Sequence, residues 1–296
     1  MIVTGSDRVL VQGITGKQGT FWTEKMQAYG TNIVGGVNPK KAGTTHLGVP
    51  VFASATQAAE QLADEGGSGV DVTVLFIPPG GARPAIEDAV AAGAKLIVVL
   101  TEFIPVHDTM AVIAAAKAAG SRIIGPNTAG VVTPGQAFVG FMPAFDQRIF
   151  TPGRVGVISR SGSLGTLTAV ELTRAGLGQS AFLGIGGDPV SGTTTAEAFE
   201  ALDQDPSTDA IVVIGEIGGR KEEDAAAVIA ASSKPVVSFI AGAASPPGKR
   251  MGHAGAIVEG NTGTHESKRS ALAEAGATVV DVPWEIPAAL ADLISL

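Results

Sequence analysis

His253 stands in the run Gly252-His253-Ala254-Gly255, with Lys249 and Arg250 just before it. Small residues on both sides of an imidazole let the backbone approach another surface closely and let the ring swing without bulk. Glu216 closes the apolar run Ile211-Val212-Val213-Ile214-Gly215 and is followed by Ile217-Gly218-Gly219. A carboxylate at a strand end can orient an imidazole and set its tautomer. It can also serve a helix dipole, a reading that leaves the many small neighbours unexplained. Ser161, Gly162 and Ser163 follow a second apolar run, at the place where a strand hands over to a helix and free amides collect anions. The G-x-S-x-G elbow of a hydrolase lacks its first glycine here. A mobile histidine, a carboxylate, neighbouring cations and an anion cradle together suit a histidine that carries a phosphoryl group.

A second set of residues points to a phosphorylated cofactor. Thr15, Gly16, Lys17 and Gln18 lie within Gly13-x-x-Gly16-x-x-Gly19, which differs from the dinucleotide fingerprint G-x-G-x-x-G. Glycines in such a loop serve either a tight turn or a phosphate. At the end of the next apolar run an NAD site places an acid on the ribose hydroxyls; this chain has Asn38-Pro39-Lys40-Lys41. Lysines there suit a ribose that bears phosphate, as in NADP or the 3′-phospho-ADP of coenzyme A. Thr101 and Glu102 follow the run Val98-Val99-Leu100 and belong to the same sheet edge. His46, His107 and His265 do not share metal-ligand spacing and read as structural or solvated. No metal site is expected.

These residues must be held by a sheet of parallel strands. Short β-branched runs alternate with Ala-rich amphipathic stretches from end to end, the pattern of βαβ units. The 296 residues accommodate two domains. Five runs in each half predict two doubly wound α/β domains, over 1–127 and 153–296. Pro and Gly punctuate residues 128–152, which read as a linker. Each half opens alike, with strand, Gly-rich loop and helix. A formal charge of −8 disfavours nucleic acid and anionic membrane as partners, and no run is long enough to span a membrane. Without cysteine there is no disulfide framework, thiolate metal site or thiol nucleophile. No signal peptide is expected at the start, and a cytoplasmic location follows as an expectation.

The stretches QGITGKQGTF, YGTNIVGGVNP, GTTHLGVPVF, GPNTAG, VGVISRSGSLG, GIGGDPVSG, IGEIGG and GKRMGHAGAI run in order along the chain. In them the chain resembles, over its whole length, the α subunit of succinyl-CoA synthetase and its relatives, the nucleoside-diphosphate-forming acid–CoA ligases. The resemblance implies a Rossmann-like CoA-binding domain followed by a flavodoxin-like ligase domain. It also implies that Thr15, Gly16, Lys17, Gln18, Lys41, Leu100, Thr101 and Glu102 bind coenzyme A. His253 matches the histidine phosphorylated in turnover, Glu216 the carboxylate that hydrogen-bonds it, and Ser161–Ser163 the phosphate-binding helix start. Mg-ATP or Mg-GTP is expected on a β subunit with a nucleotide-grasp domain, in an αβ or α2β2 assembly, with a small carboxylic acid as substrate. One departure bears on that acid: Thr166 stands where the family has a tyrosine beside the substrate, and Tyr29 is the chain's one tyrosine. A larger or hydroxylated acid such as malate becomes an alternative to succinate.

Overall fold

The computed structural model describes residues 1–64, 69–245, 252–258 and 263–294; Lys249 and Arg250 lie outside them. The first half runs β1 (Val9–Gln12), α1 (Lys17–Tyr29), β2 (Ile33–Val37), β3 (Thr45–His46), β4 (Val49–Phe52), α2 (Ala55–Asp64), β5 (Val72–Leu75), α3 (Pro79–Ala91), β6 (Leu96–Val99), α4 (Val106–Ala118) and β7 (Arg122–Ile124). The second half runs β8 (Gly130–Thr133), β9 (Ala137–Gly140), β10 (Pro152–Ser159), α5 (Gly162–Arg174), β11 (Gln179–Gly184), α6 (Thr195–Asp203) and β12 (Ala210–Glu216). It continues with α7 (Lys221–Asp224), α8 (Ala226–Ala231), β13 (Val236–Ala241), α9 (His265–Glu274), β14 (Thr278–Val280) and α10 (Ile286–Ala291).

Each half forms a seven-stranded sheet, where five strands each were expected. The first has the order β3-β4-β2-β1-β5-β6-β7, parallel except for the short β3. Its six parallel strands have the Rossmann order. In the second, β14-β13-β12-β10-β11 is a parallel flavodoxin-like sheet, to which β8 and β9 add an antiparallel edge. The central strands are buried on both faces, which is why they read as unbroken β-branched runs: all residues of β1, β5, β6 and β12 are buried. Strand order reverses beside β1 and beside β10, so the loops after these two strands open at the crevices where doubly wound sheets take ligands.

Residues 128–152 are not a simple linker. They contain the β8–β9 hairpin, and this hairpin ties the domains together. Thr31 Oγ1 on the first domain donates to the Phe138 carbonyl at 2.9 Å and accepts from its amide at 3.1 Å. The Tyr29 and Phe138 rings meet edge-to-face at 5.3 Å. Elsewhere Thr193 Oγ1 donates to the Ile123 carbonyl at 2.6 Å, and the Gly192 amide to the Gly125 carbonyl at 2.8 Å. One apolar cluster runs through both sheets, from Val9 and Val74 to Val157 and Val213. The two ligand-facing edges are thereby held in a fixed relation.

Candidate active site

The loop after β1 is shaped first by its own backbone. Gly13 has φ +80°, and a Cβ there would lie 2.5 Å from the Phe76 carbonyl oxygen; one on Gly19 would lie 2.2 Å from the Gly13 carbonyl oxygen. Both glycines are needed for the turn itself. Gly16, exposed at the start of α1, is the one left for a ligand, and α1 begins with no side-chain cap. Amides at such a start hold phosphate oxygens. Asn38 Nδ2 donates to Thr15 Oγ1 at 2.5 Å, joining the ends of β1 and β2. Asn38 Oδ1 accepts the Lys40 amide at 3.0 Å, and this cap fixes the turn that presents Lys40 and Lys41 to solvent. Gln18, Trp22, Leu75–Pro78, Leu100, Thr101 and Phe141 line an apolar groove of about 500 Å³ beside this loop. Thr101 contributes shape more than a free hydroxyl, since its Oγ1 donates to the Ile77 carbonyl at 2.7 Å.

The second edge carries the imidazole. Glu216 ends β12, which pairs with β13, and His253 lies on the segment after β13. His253 Nδ1 is 2.9 Å from Glu216 Oε1 and 2.8 Å from Oε2, so the carboxylate straddles the Nδ1 proton. Nε2 is left for chemistry. The ring is partly exposed and the carboxylate nearly buried, at 28% and 9% of their side chains. The hydrogen bond to Glu216 raises the His253 pKa above its ordinary value, against burial and the Arg160 charge.

Glu216 is itself held. Buried Arg160 approaches its Oε1 with Nε at 3.3 Å and donates from Nη1 to its carbonyl at 3.2 Å and to the Gly218 carbonyl at 3.1 Å. Nη1 also lies 3.3 Å from Glu222 Oε1, and the other Glu222 oxygen pairs with Lys268 Nζ. Glu222 and Lys268 are fully inaccessible. Burial opposes ionisation of Glu222, but the Arg160 and Lys268 charges outweigh it and hold the pKa below the ordinary value. An alternating file of charges, Lys268–Glu222–Arg160–Glu216, thus ends on the imidazole. Arg160 directly precedes the Ser161–Ser163 cradle in the sequence, whereas Glu222 and Lys268 carry no such signal. Both sit in polar helical stretches, KEED and HESKRS, that read as solvated faces.

One cavity of about 520 Å³ brings the predicted residues of both domains together. Glu102 from the first domain, Ser161, Gly162, Ser163 and Thr166 at the start of α5, and His253 all line it. Ser161 Oγ caps α5 by accepting the Leu164 amide at 3.3 Å; Ser163 is exposed to the cavity. Thr166 Oγ1 is turned back onto the Gly162 carbonyl at 2.8 Å. Phe141, just past β9, lines both this cavity and the groove beside α1, and so stands where the two meet. Nothing in the Pro- and Gly-punctuated stretch around it singles Phe141 out. Lys41 and the Thr15–Gln18 loop do not line the histidine cavity. His46 Nε2 is 2.9 Å from Thr20 Oγ1, a structural contact.

Gly187 is the close neighbour that admits the ring: a Cβ there would lie 2.4 Å from His253 Cγ. Gly187→Ala is therefore expected to push the imidazole off Glu216. A displacement near 1 Å costs about 100-fold in turnover, with the melting temperature changed far less than the rate because the ring is partly exposed. Steady-state rates beside a thermal melt check this; wild-type turnover in the variant refutes the packing.

Residues 4–103 match the family model described as a CoA binding domain, and residues 158–278 the one described as CoA-ligase. These matches define an acid–thiol ligase that works on coenzyme A. The chain is 50% identical over 287 residues to a succinate–CoA ligase [ADP-forming] subunit alpha of Methanothermobacter thermautotrophicus, covering 97% of this chain and 94% of that one. It therefore belongs to the succinate–CoA ligase alpha-subunit family. That family also has members named for other acids. A malate–CoA ligase subunit alpha of Methylorubrum extorquens is 42% identical, covering 97% and 96% of the two chains. An ADP-forming sulfoacetate-CoA ligase subunit of Bilophila wadsworthia is 40% identical, covering 97% of each. The fold is shared with ATP citrate lyase from Methanothrix soehngenii, solved in complex with citrate and coenzyme A, with a TM-score of 0.88 and 22% identity over 99% of this chain. The chain spans half the length of that lyase chain.

Proposed function

We propose that this chain is the α subunit of a nucleotide-dependent acid–CoA ligase that relays a phosphoryl group through His253. The observation that carries the reading is the Nδ1–Glu216 contact on a cavity that also holds the start of α5 and Glu102. With Nδ1–H committed to the carboxylate, the Nε2 lone pair attacks a phosphorus, forming P–N as the bond to the nucleoside diphosphate breaks. The amides at the start of α5 receive the phosphoryl oxygens, and Glu216 balances the positive charge that the ring acquires. The phosphoryl group then passes from Nε2 to a carboxylate oxygen of the acid. The CoA thiol attacks the acyl carbon, phosphate leaves, and the thiol proton is lost. Residues of the Thr15–Gln18 loop, Lys41 and the Leu100–Glu102 stretch hold the CoA, with the groove past Trp22 and Phe141 leading its thiol toward the histidine. Mg-ATP or Mg-GTP sits on a separate β subunit.

The acid pocket lies at Thr166. With a small side chain there, turned back on its own helix, the pocket suits an acid bulkier or more hydroxylated than succinate, such as malate. The reconstituted pair, assayed with Mg-ATP, CoA and succinate, malate or sulfoacetate, should form nucleoside diphosphate only when both acid and CoA are present. Thr166→Tyr should shift the succinate-to-malate ratio of kcat/KM by roughly tenfold toward succinate. No CoA-dependent turnover with any acid sinks the ligase reading; an unchanged ratio sinks the account of the pocket.

A further inference from the structure

Against the residues that follow His253 lies a second cavity of about 590 Å³, which the ligase reading does not use. Its wall includes Arg160, Arg220, Lys221, Asp224, Ala254 and Gly255. Three of these are cations and one is a carboxylate. Asp224 is already engaged, 3.4 Å from Arg220 on the exposed rim. Arg160 retains only 3% of its accessibility. Its Nη1 makes three contacts, and its Nε is buried beside Glu216 without a hydrogen bond; Nη2, which makes none among the described residues, lies 3.1 Å from where a Cβ on Gly255 would stand. Buried guanidinium groups normally satisfy their donors. Lys221 Nζ has one hydrogen bond, to the Asp188 carbonyl at 2.7 Å, and no carboxylate salt bridge among the described residues.

We propose that this cavity is a second oxyanion site, in which Arg160 Nη2 and Lys221 Nζ bind a phosphate-class group, distinct from the start of α5 on the histidine side. The charges facing it agree. Glu216 and Glu222 are shared among Arg160, His253 and Lys268, and Arg220 is paired with Asp224, so Lys221 is the wall cation that has no carboxylate salt bridge among the described residues, with the Asp188 charge acting on it from nearby. Burial first, and the Arg160 charge second, push the Lys221 pKa down to about 8. A lysine kept beside an arginine at that cost gains most from an anion between them. An occupant would press on Ala254 and Gly255, the residues that follow His253, and so bear on the position of the ring. The group is either free phosphate or the phosphate of a larger molecule, since the volume admits both.

The test uses the full chain alone, without acid, nucleotide triphosphate or partner, so its failure leaves the ligase reading standing. The Lys221 Nζ signal is followed by NMR during titrations with inorganic phosphate and, separately, with AMP. Saturable movement of that signal, with its midpoint rising from about 8 by a unit or more, supports the site. Response to phosphate at equal or lower concentration than AMP assigns free phosphate; a tenfold preference for AMP assigns a phosphorylated molecule. By calorimetric phosphate titration, Lys221→Arg should keep a second saturable binding event and Lys221→Met should lose it, while the His253 ring signal still responds to phosphate in both. A Lys221 signal that neither ligand moves, at concentrations that saturate the His253 response, overturns the proposal.

Discussion

His253→Asn should lower acyl-CoA formation by at least about 10⁴-fold, because it removes the nucleophile that splits one difficult transfer into two. Incubating the chain with its nucleotide-binding partner and γ-labelled nucleoside triphosphate should place an acid-labile label on the wild-type protein and none on the variant. Coenzyme A affinity should stay within about twofold, since the Gly16 loop and Lys41 line no part of the histidine cavity. That contrast separates lost chemistry from lost fold. Asparagine preserves a polar side chain beside Glu216 without a nitrogen that can carry phosphate. A variant that retains label, or more than about 1% of turnover, ends the relay through this residue.

Why the imidazole could be picked out from residue types, while its support could not, is a matter of burial. His253 and Glu216 stand among glycines at the ends of β-branched runs, and neighbouring parallel strands bring such ends to one edge. Glu222 and Lys268 lie in polar helices, where charge normally means solvent; nothing in the neighbouring residue types signals that both are inaccessible. The same contrast holds for the fold. Ten strands were readable as apolar β-branched runs, most plainly the central ones, because burial on both faces selects unbroken apolar runs. The β3–β4 pair was hidden by its two-residue first strand and by Pro50 in its second. The β8–β9 hairpin was hidden by its glycines, which read as linker. In the structure they allow close approach: a Cβ on Gly130 would lie 2.1 Å from the Val139 carbonyl oxygen, and one on Gly140 2.3 Å from that of Ala129. Glycine inside a strand marks such contacts as often as it marks a loop.

Glu216→Gln tests how the imidazole is tuned. The amide oxygen of the introduced glutamine can still accept from Nδ1–H, so the ring keeps its place, but the charge that stabilises a cationic ring is gone. Turnover should fall roughly 10²–10³-fold. The pH dependence should move as well. In the wild type the His253 pKa is raised, chiefly by its hydrogen bond to Glu216, and only the neutral ring offers Nε2 to phosphorus. Phosphoryl acceptance therefore falls as pH drops through that raised value, and in Glu216→Gln the acid limb should lie at lower pH. The stability linked to this pair is present below the ordinary histidine value of 6.5 and is lost as pH rises through the raised one. The variant should lack that dependence, and near neutral pH its fold should lose about 1–3 kcal/mol because buried Arg160 gives up a charged partner. A His253 NMR titration at or below 6.5 in the wild type, or an acid limb that Glu216→Gln leaves in place, would show that this carboxylate does not set the basicity of the ring.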